Sequence, residues 1–246
     1  MDDQGLLELL GAAAGAVRGA LDELEDWGPA GTRPGQYRLD LAADAAVLGV
    51  LGAEGLSVLS EESGLSVGSG SDDLLAVVDP VDGSTNAHLG LPFYATSICV
   101  LDERGPRVGL VRNQATGVGY AAIRGEGARR DGISIEVSSP RSLGDAVVGV
   151  SGFPARHPGW AQFRALGAAS LELCAVADGS LDAYLVVGGA HLFGWDYLAG
   201  MLICHEAGGV MADRSGEDLV VRTDAPRHPA AAATQELLHE VLDSGL

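Results

Sequence analysis

The order of apolar and polar residues changes along this chain from helical spacing to continuous apolar runs. Residues 5–26 and 40–52 carry apolar side chains at every third or fourth position, which predicts two helices separated by a loop rich in glycine and proline. A short strand is predicted near 57–60, and the runs DLLAVVD, FYATSICVL and RVGLVRN predict three longer strands. Residues 118–137 are punctuated by glycine, as is typical of hairpins.

Beyond residue 138, predicted strands and helices alternate. The runs AVVGVSGF and DAYLVV predict strands. Helices are predicted around 160–177 and over WDYLAGMLICHEAGG, whose last two glycines provide a C-terminal stop. Crowded strands followed by alternating strands and helices indicate an α+β half over residues 1–138 and an α/β half over residues 139–246.

Composition and charge narrow the classes of partner. The chain has 246 residues, of which 47% are apolar and 5% aromatic, so it can form a large core of leucine, valine and alanine. Its formal net charge is −19, and all 15 basic residues are arginine. Such a surface repels phosphate backbones and anionic lipids, so we expect neither nucleic acid nor a membrane as a partner.

The location of the protein can also be predicted from its residues. No apolar stretch approaches the roughly 20 residues of a membrane span, and the first residues, Met-Asp-Asp, are not typical of a secretory signal. The 3 cysteines, Cys99, Cys174 and Cys204, lie in apolar segments without disulfide or zinc spacing. Buried thiols of this kind are typical of a reducing compartment, so we expect a cytoplasmic protein.

The segment LLAVVDPVDGSTNAHLG, residues 74–90, places two aspartates directly after an apolar strand. Asp79 and Asp82 would then share the volume beyond the end of that strand, and a helix beginning near Ser84 would point free N–H groups at the same volume. Carboxylates suit Mg²⁺, and N–H groups suit phosphate. The alternative is a polar turn whose aspartates cap the next segment.

A functional site of this kind needs further acids. LSEES supplies Glu61 and Glu62 after another short strand, and GWDYLAG supplies Asp196 at the predicted start of a helix. Taken singly, each has a simpler interpretation, as a solvated loop acid or as a helix N-cap.

Taken together, LSEES, VVDPVDGSTN and GWDYLAG…EAGG resemble the inositol monophosphatase-like superfamily of magnesium-dependent, lithium-sensitive phosphatases. GFP at 152–154 and GAASLELCAVADGSLDAY at 167–184 extend the resemblance over nearly the whole chain. The resemblance implies a layered αβαβα sandwich of the sugar phosphatase type, a small phosphorylated metabolite as substrate, and a homodimer.

The resemblance also implies two or three Mg²⁺ ions and a role for each matching residue. Glu61, Asp79 and the backbone carbonyl of Val81 would hold the first ion, and Asp79, Asp82 and Asp196 the second. Gly83 and Ser84 would offer backbone N–H groups to the phosphate. The Ser84 hydroxyl and Asp44, in YRLDLAAD, would orient the attacking water.

Three departures from the family pattern bear on activity and substrate. Arg38 and Leu41 stand where an aspartate and a threonine are usual, and Ser84 replaces the commoner threonine. The segment LVVGGAHLFG lacks the substrate-binding glutamate of animal members and is most similar to archaeal-type members that accept fructose bisphosphate and inositol phosphate. We therefore place substrate selection in residues 184–194 and 152–157, with His191 and Arg156 as the polar candidates.

The leading interpretation is a Mg²⁺-dependent phosphomonoesterase that hydrolyses a small polyol or sugar phosphate. The enzymatic alternatives are a phosphatase for fructose 1,6-bisphosphate, histidinol phosphate or a 3′-phosphonucleotide; GSTN differs from the lysine-containing motifs of the last two. The alternative of another class is a catalytically idle binding or regulatory protein, which the altered RLDLAAD segment supports and the intact acids oppose.

Overall fold

The structure is a computed structural model that describes residues 1–31, 33, 35–70, 74–140 and 142–244. The helices are α1 Asp3–Glu23, α2 Arg38–Ala53, α3 Ser84–Leu89, α4 Ala169–Ala177, α5 Gly194–Glu206 and α6 Gln235–Asp243. The strands of a first sheet are β1 Ser57–Ser60, β2 Gly64–Ser66, β3 Leu75–Asp82, β4 Ala95–Asp102, β5 Gly105–Asn113, β6 Gly119–Ile123, β7 Ala128–Arg130 and β8 Ile133–Ser134. Those of a second sheet are β9 Val147–Ser151, β10 Gln162–Arg164, β11 Ala183–Val186, β12 Val210–Asp213 and β13 Pro229–Ala232.

The first two helices form the outermost layer. In α1, the fully buried side chains include Leu6, Leu10, Ala13 and Val17, so one face of the helix is apolar. The Asp2 side chain caps the N-terminus of this helix by accepting a hydrogen bond from the N–H of Gly5 at 2.8 Å. Together with α2, this face packs on the first sheet, which has the order β2-β1-β3-β4-β5-β6-β7-β8.

The central strands of the first sheet are buried on both faces. All eight residues of β3 are buried, which explains why its sequence shows no alternation of apolar and polar residues. In β4, Ile98 and Val100 face α1 and α2, whereas Cys99 and Leu101 face a second core that contains α4 and α5.

The same α4–α5 layer also packs on the second sheet, which has the order β10-β9-β11-β13-β12. Tyr184 and Ala231 of that sheet face α4 and α5, and Leu185 and Ala230 face α6 on the outer side. The resulting layers alternate as αβαβα, and the predicted fold is confirmed. The division at residue 138 stays a prediction, and both helices on the inner face of the first sheet belong to the second half.

The structure differs from the predicted elements mainly in the second half. The helix predicted around 160–177 begins only at Ala169, because residues 162–164 pair with β9 as an edge strand and Gly167 adopts a positive φ of 82°. The elements β12, β13 and α6 had no counterpart in the sequence analysis. No helix in the described part of the chain is long and apolar enough to cross a membrane.

Candidate metal and phosphate site

Three acidic side chains meet at one edge of the first sheet. Glu61 follows β1, Asp79 lies in β3, and Asp196 lies in the first turn of α5. Because β1 and β3 are parallel, with Ser60 beside Val78, both strands leave the sheet at the same edge. One carboxylate oxygen of each acid lies within 4.8 Å of the other two. A set of oxygen donors at this separation has the chemistry that Mg²⁺ requires.

Two of these acids are held by the backbone beside them. Asp79 Oδ1 accepts the N–H of Val81 at 3.0 Å, and Asp196 Oδ2 accepts the N–H of Phe193 at 2.7 Å. These contacts fix the carboxyl groups in position while leaving other oxygen lone pairs available for a cation.

Asp82 is held from the opposite side of the site, by the beginning of α4. The N–H and the hydroxyl of Ser170 donate to Asp82 Oδ2 at 2.7 and 2.5 Å. Burial raises the pKa of Asp82 to about 6, although the hydrogen bonds from Ser170 and the nearby N–H of Ala169 lower it.

Burial and mutual repulsion also raise the pKa of the three acids that form the group, to which Asp82 itself does not belong. Burial first, and then the charges of Glu61 and Asp82, raise the pKa of Asp79 well above its usual range. Burial and the charge of Asp82 raise the pKa of Asp196 in the same direction, and burial and the charge of Glu62 raise the pKa of Glu61 to about 7. Acids in this arrangement retain protons unless a cation neutralises them, which fits a divalent metal ion.

The two neighbouring glutamates of LSEES have different roles. Glu61 joins the carboxylate group, whereas the Glu62 side chain, 6% exposed, pairs with Arg33 Nη2 at 2.7 Å and accepts a hydrogen bond from Gln36 Nε2. Glu62 therefore fastens the loop before α2 to the site. The family resemblance implied Glu61 as the metal ligand, whereas the positions of the two glutamates alone did not distinguish them.

Directly after β3, the chain turns through Gly83 into α3. Gly83 has a φ of 87°, and a Cβ there would lie 3.0 Å from the Gly167 carbonyl and 3.1 Å from the Phe93 carbonyl. Only glycine fits this turn without displacing backbone. Asn86 Nδ2 bonds to the carbonyls of Phe93 and Leu166 at 2.8 and 2.7 Å, so the turn is clamped between the two halves of the chain.

The structure brings Asp40, and not Asp44, to Ser84. Asp44 accepts hydrogen bonds from the hydroxyls of Ser60 and Ser63 at 2.5 and 3.3 Å. Asp40, one helical turn earlier, lines the same cavity as Ser84. Burial raises the pKa of Asp40 to about 7, although the Ser84 side chain lowers it. Because both aspartates lie on the same face of α2, the sequence spacing did not distinguish them.

A cavity of about 480 Å³ opens beside Glu61 and Ser84. Its lining includes three further side chains, which we call its outer wall: Arg33, Phe193 and Asp224. None of the three was among the predicted site residues. Phe193 does lie in the segment predicted to select substrate, but Arg33 and Asp224 lie in loops without a motif.

The two residues predicted to contact substrate lie outside the lining of this cavity. His191 packs its ring against Phe193 with centroids 5.3 Å apart. Arg156 donates to the carbonyl of Ser244 at 2.6 Å, near the end of α6. His191 therefore reaches the cavity wall through Phe193, whereas Arg156 is engaged elsewhere.

Comparison with known proteins agrees with this geometry. The profile of the inositol monophosphatase family matches residues 38–245. A fructose-1,6-bisphosphatase/inositol-1-monophosphatase of Archaeoglobus fulgidus is 33% identical over 254 residues, covering 98% of each chain. A Nus factor SuhB of Pasteurella multocida is 31% identical over 82% of this chain and 80% of its own. The crystal structure of the suhB protein of Bartonella henselae superposes with a TM-score of 0.84 at 25% identity, covering 98% of this chain and 100% of that one. The chain belongs to the inositol monophosphatase family.

Proposed function

We propose that this protein is a Mg²⁺-dependent phosphomonoesterase that hydrolyses a small polyol or sugar phosphate. The observation that carries the proposal is the group formed by Glu61, Asp79 and Asp196, whose oxygens lie within 4.8 Å of one another beside the Gly83–Ser84 turn. Buried carboxyl groups this close together raise one another's pKa values, so a bound cation would stabilise their charged forms.

The proposed ligands divide into two sets that share Asp79. Glu61, Asp79 and the carbonyl of Val81 form the first set, and Asp79, Asp82 and Asp196 form the second. When bound, Mg²⁺ would lower the pKa of a water molecule and stabilise the charge on the leaving alcohol oxygen. The family resemblance implies two or three such ions, and the described acids suffice for two sets.

The residues of the chain position the remaining reactants. The hydroxyl of Ser84, which lines the cavity together with Asp40, would orient the attacking water, and Asp40 is available to accept a proton from that water. The backbone N–H groups of Gly83 and Ser84 would hold the phosphoryl oxygens. We therefore propose Asp40 for the role that the sequence spacing assigned to Asp44.

The outer wall of the cavity supports a substrate with one phosphate. Arg33 is the only basic residue among the described lining residues, and it is paired with Glu62. A second phosphate would have to displace Glu62 from this pair or remain without a cation. Phe193 offers an apolar surface and Asp224 a hydrogen-bond acceptor, which suit the carbon skeleton and the hydroxyl groups of a polyol. This arrangement favours polyol monophosphates over fructose 1,6-bisphosphate and 3′-phosphonucleotides, with histidinol phosphate as a further alternative.

Metal-dependent release of inorganic phosphate tests the proposal. We expect the protein with Mg²⁺ to hydrolyse p-nitrophenyl phosphate and at least one polyol or sugar phosphate, and to lose both activities in EDTA. Asp79→Asn should be inactive, whereas Asp102→Asn, which alters an ion pair with Arg124 and a hydrogen bond from the Arg104 N–H at the end of β4, is the matched control. If none of the esters is hydrolysed, the proposal is contradicted. A binding role would then be favoured, of the kind that the name Nus factor indicates for the SuhB relatives.

Two finer features of the same proposal are inhibition by Li⁺ and a cytoplasmic location. Inhibition by Li⁺ follows from the family resemblance, and the activity assay with added LiCl tests it. A cytoplasmic location is supported by the free, buried thiols of Cys99, Cys174 and Cys204. Fractionation of the source cells would check this location.

A homodimer is supported by an apolar surface at the edge of the second sheet. Strand β10 is one of the two edge strands of this sheet, and Phe163 on it is 51% exposed. Leu89 and Leu91 are 65% and 50% exposed, and the Asn86–Leu166 hydrogen bond ties their segment to the chain that follows β10. Burying such a surface against a second copy would satisfy both the strand edge and the leucines. Light scattering of the protein and of Phe163→Arg tests this, and a monomeric wild type would contradict it.

A further inference from the structure

Asp82 is anchored differently from the other aspartates of the site. Asp40, Asp79 and Asp196 each accept a backbone N–H from a residue two or three positions away in sequence. Asp82 Oδ2 instead accepts both the N–H and the hydroxyl of Ser170, which lies 88 positions later in the chain. Ser170 is fully buried, so water does not compete for its hydroxyl.

The two bonds from Ser170 determine which oxygen of Asp82 remains free. A carboxylate oxygen has two lone-pair sites for donors or cations. The N–H at 2.7 Å and the hydroxyl at 2.5 Å occupy both sites of Oδ2, so Oδ1 is the oxygen that can face a metal ion. In Asp79 and Asp196, the oxygen bonded to the backbone retains one such site.

We infer that Ser170 is a positioning residue that limits Asp82 to one metal-ligating oxygen and thereby favours Mg²⁺ over Ca²⁺. The inference rests on the proposed function, because it takes Asp82 as a metal ligand. Mg²⁺ requires short bonds in near-octahedral geometry, whereas Ca²⁺ accepts more ligands and binds carboxylates through one or both oxygens. A carboxylate with both oxygens available would therefore suit Ca²⁺ better than one restricted to a single oxygen.

Calorimetric titration of the full chain with Mg²⁺ or Ca²⁺, without substrate, tests the inference. In Ser170→Ala, we expect the ratio of Ca²⁺ affinity to Mg²⁺ affinity to rise about tenfold, the size expected for the loss of a hydrogen bond to a charged group. Ser170→Thr keeps a hydroxyl and should retain the wild-type ratio. Ser138→Ala is the matched control, because Ser138 donates a similar bond of 2.6 Å to Asp182, which precedes β11 at the end opposite the site.

The possible outcomes separate the inference from the proposed function. An unchanged ratio in Ser170→Ala, or equal weakening of both ions, would overturn the inference alone, since the hydroxyl would then support only the general conformation of Asp82. A wild-type protein that binds neither ion would overturn both. If Ser170→Ala does not fold, Ser170→Cys supplies the same comparison, because a thiol is a much weaker donor.

Discussion

The cavity has two ends that are built differently. The phosphoryl end contains the acidic group and the Gly83–Ser84 turn, and the alcohol end contains Arg33, Phe193 and Asp224. At the phosphoryl end, Asp79 and Asp82 are 2% and 8% exposed, and each is held by short hydrogen bonds to the backbone or to Ser170. At the alcohol end, Asp224 is exposed and takes part in no hydrogen bond or ion pair within the described part of the chain. Phe193 there is only half-buried.

This difference separates reaction from selectivity. Every phosphate ester presents the same group to the phosphoryl end, so one rigid arrangement serves all substrates. The alcohol end meets the part of the substrate that varies. Substitutions at the first end should therefore change the rate for all esters, and substitutions at the second should change the ratios between esters.

The largest effect is expected for Asp79→Asn. Because Asp79 is common to both proposed ligand sets, we expect kcat to fall at least about a thousandfold for every ester tested. In EDTA the variant should unfold at a slightly higher temperature than the wild type, because asparagine, unlike Asp79, neither takes up a proton on folding nor carries a charge that the neighbouring acids repel. Activity assays and thermal unfolding measure the two effects. Turnover within about tenfold of wild type would contradict the shared-ligand assignment.

A comparison of Asp40→Asn with Asp44→Asn sharpens the description of the phosphoryl end. Asp40 lines the cavity together with Ser84, so we expect Asp40→Asn to lower kcat about a hundredfold for all esters without loss of stability. Asp44 bonds to Ser60 and Ser63, so Asp44→Asn should mainly lower the free energy of unfolding, by about 1 to 2 kcal/mol. If the two variants show the opposite pattern, the water-orienting role belongs to Asp44.

The acids of β3 and the two aspartates of α2 differ in how far the sequence could predict their positions. The acids of β3 were predicted because an apolar run indicates where the strand ends, and because the family motif gives the order of the ligands. Asp40 and Asp44 are one turn apart on one helix face, so only the packing of α2 against β1 and α3 decides which one meets Ser84.

The alcohol end could not be predicted in the same way. Arg33 and Asp224 are separated by most of the chain and are brought together only by the tertiary fold, in loops that have no periodicity and no motif. The late start of α4 has a similar cause, since pairing of residues 162–164 with β9 overrides the helical pattern there.

Behind the phosphoryl end, Glu172 predicts a dependence of stability on pH. Its side chain is fully buried in α4 and accepts backbone N–H groups of Leu166 and Gly167, which adjoin the Gly83 turn. Burial raises the pKa of Glu172 to about 8, from the usual glutamate value of 4.5. The folded protein therefore retains a proton that the unfolded chain releases, so the contribution to stability is complete below pH 4.5 and is lost as the pH rises to about 8.

Glu172→Gln mimics the protonated side chain and should remove this dependence. We expect little change in the free energy of unfolding at pH 5, and a gain of about 2 kcal/mol or more over the wild type at pH 9, since each unit of pKa shift is worth about 1.4 kcal/mol. Denaturant titrations in EDTA at the two pH values measure the difference. Parallel stability curves for the two proteins would show that Glu172 is ionised in the folded state.

The smallest effects are expected at the alcohol end, where they should appear as ratios. Fructose 1-phosphate and fructose 1,6-bisphosphate form a matched pair, because they share the fructose skeleton and the phosphate at C1 and differ only by the phosphate at C6. The charge of Asp224 should repel the second phosphate, so Asp224→Asn should raise kcat/KM for the bisphosphate relative to the monophosphate by about threefold to tenfold.

His191→Ala should change the same ratio by a smaller factor, through the position of Phe193. Arg156→Ala should leave it unchanged, because Arg156 is bonded to Ser244. Hydrolysis of p-nitrophenyl phosphate should stay within about twofold of wild type in all three variants, since that ester does not carry a second charged group for the alcohol end to distinguish. If Asp224→Asn slows every ester equally, Asp224 belongs to the phosphoryl end and the comparison between the two ends fails.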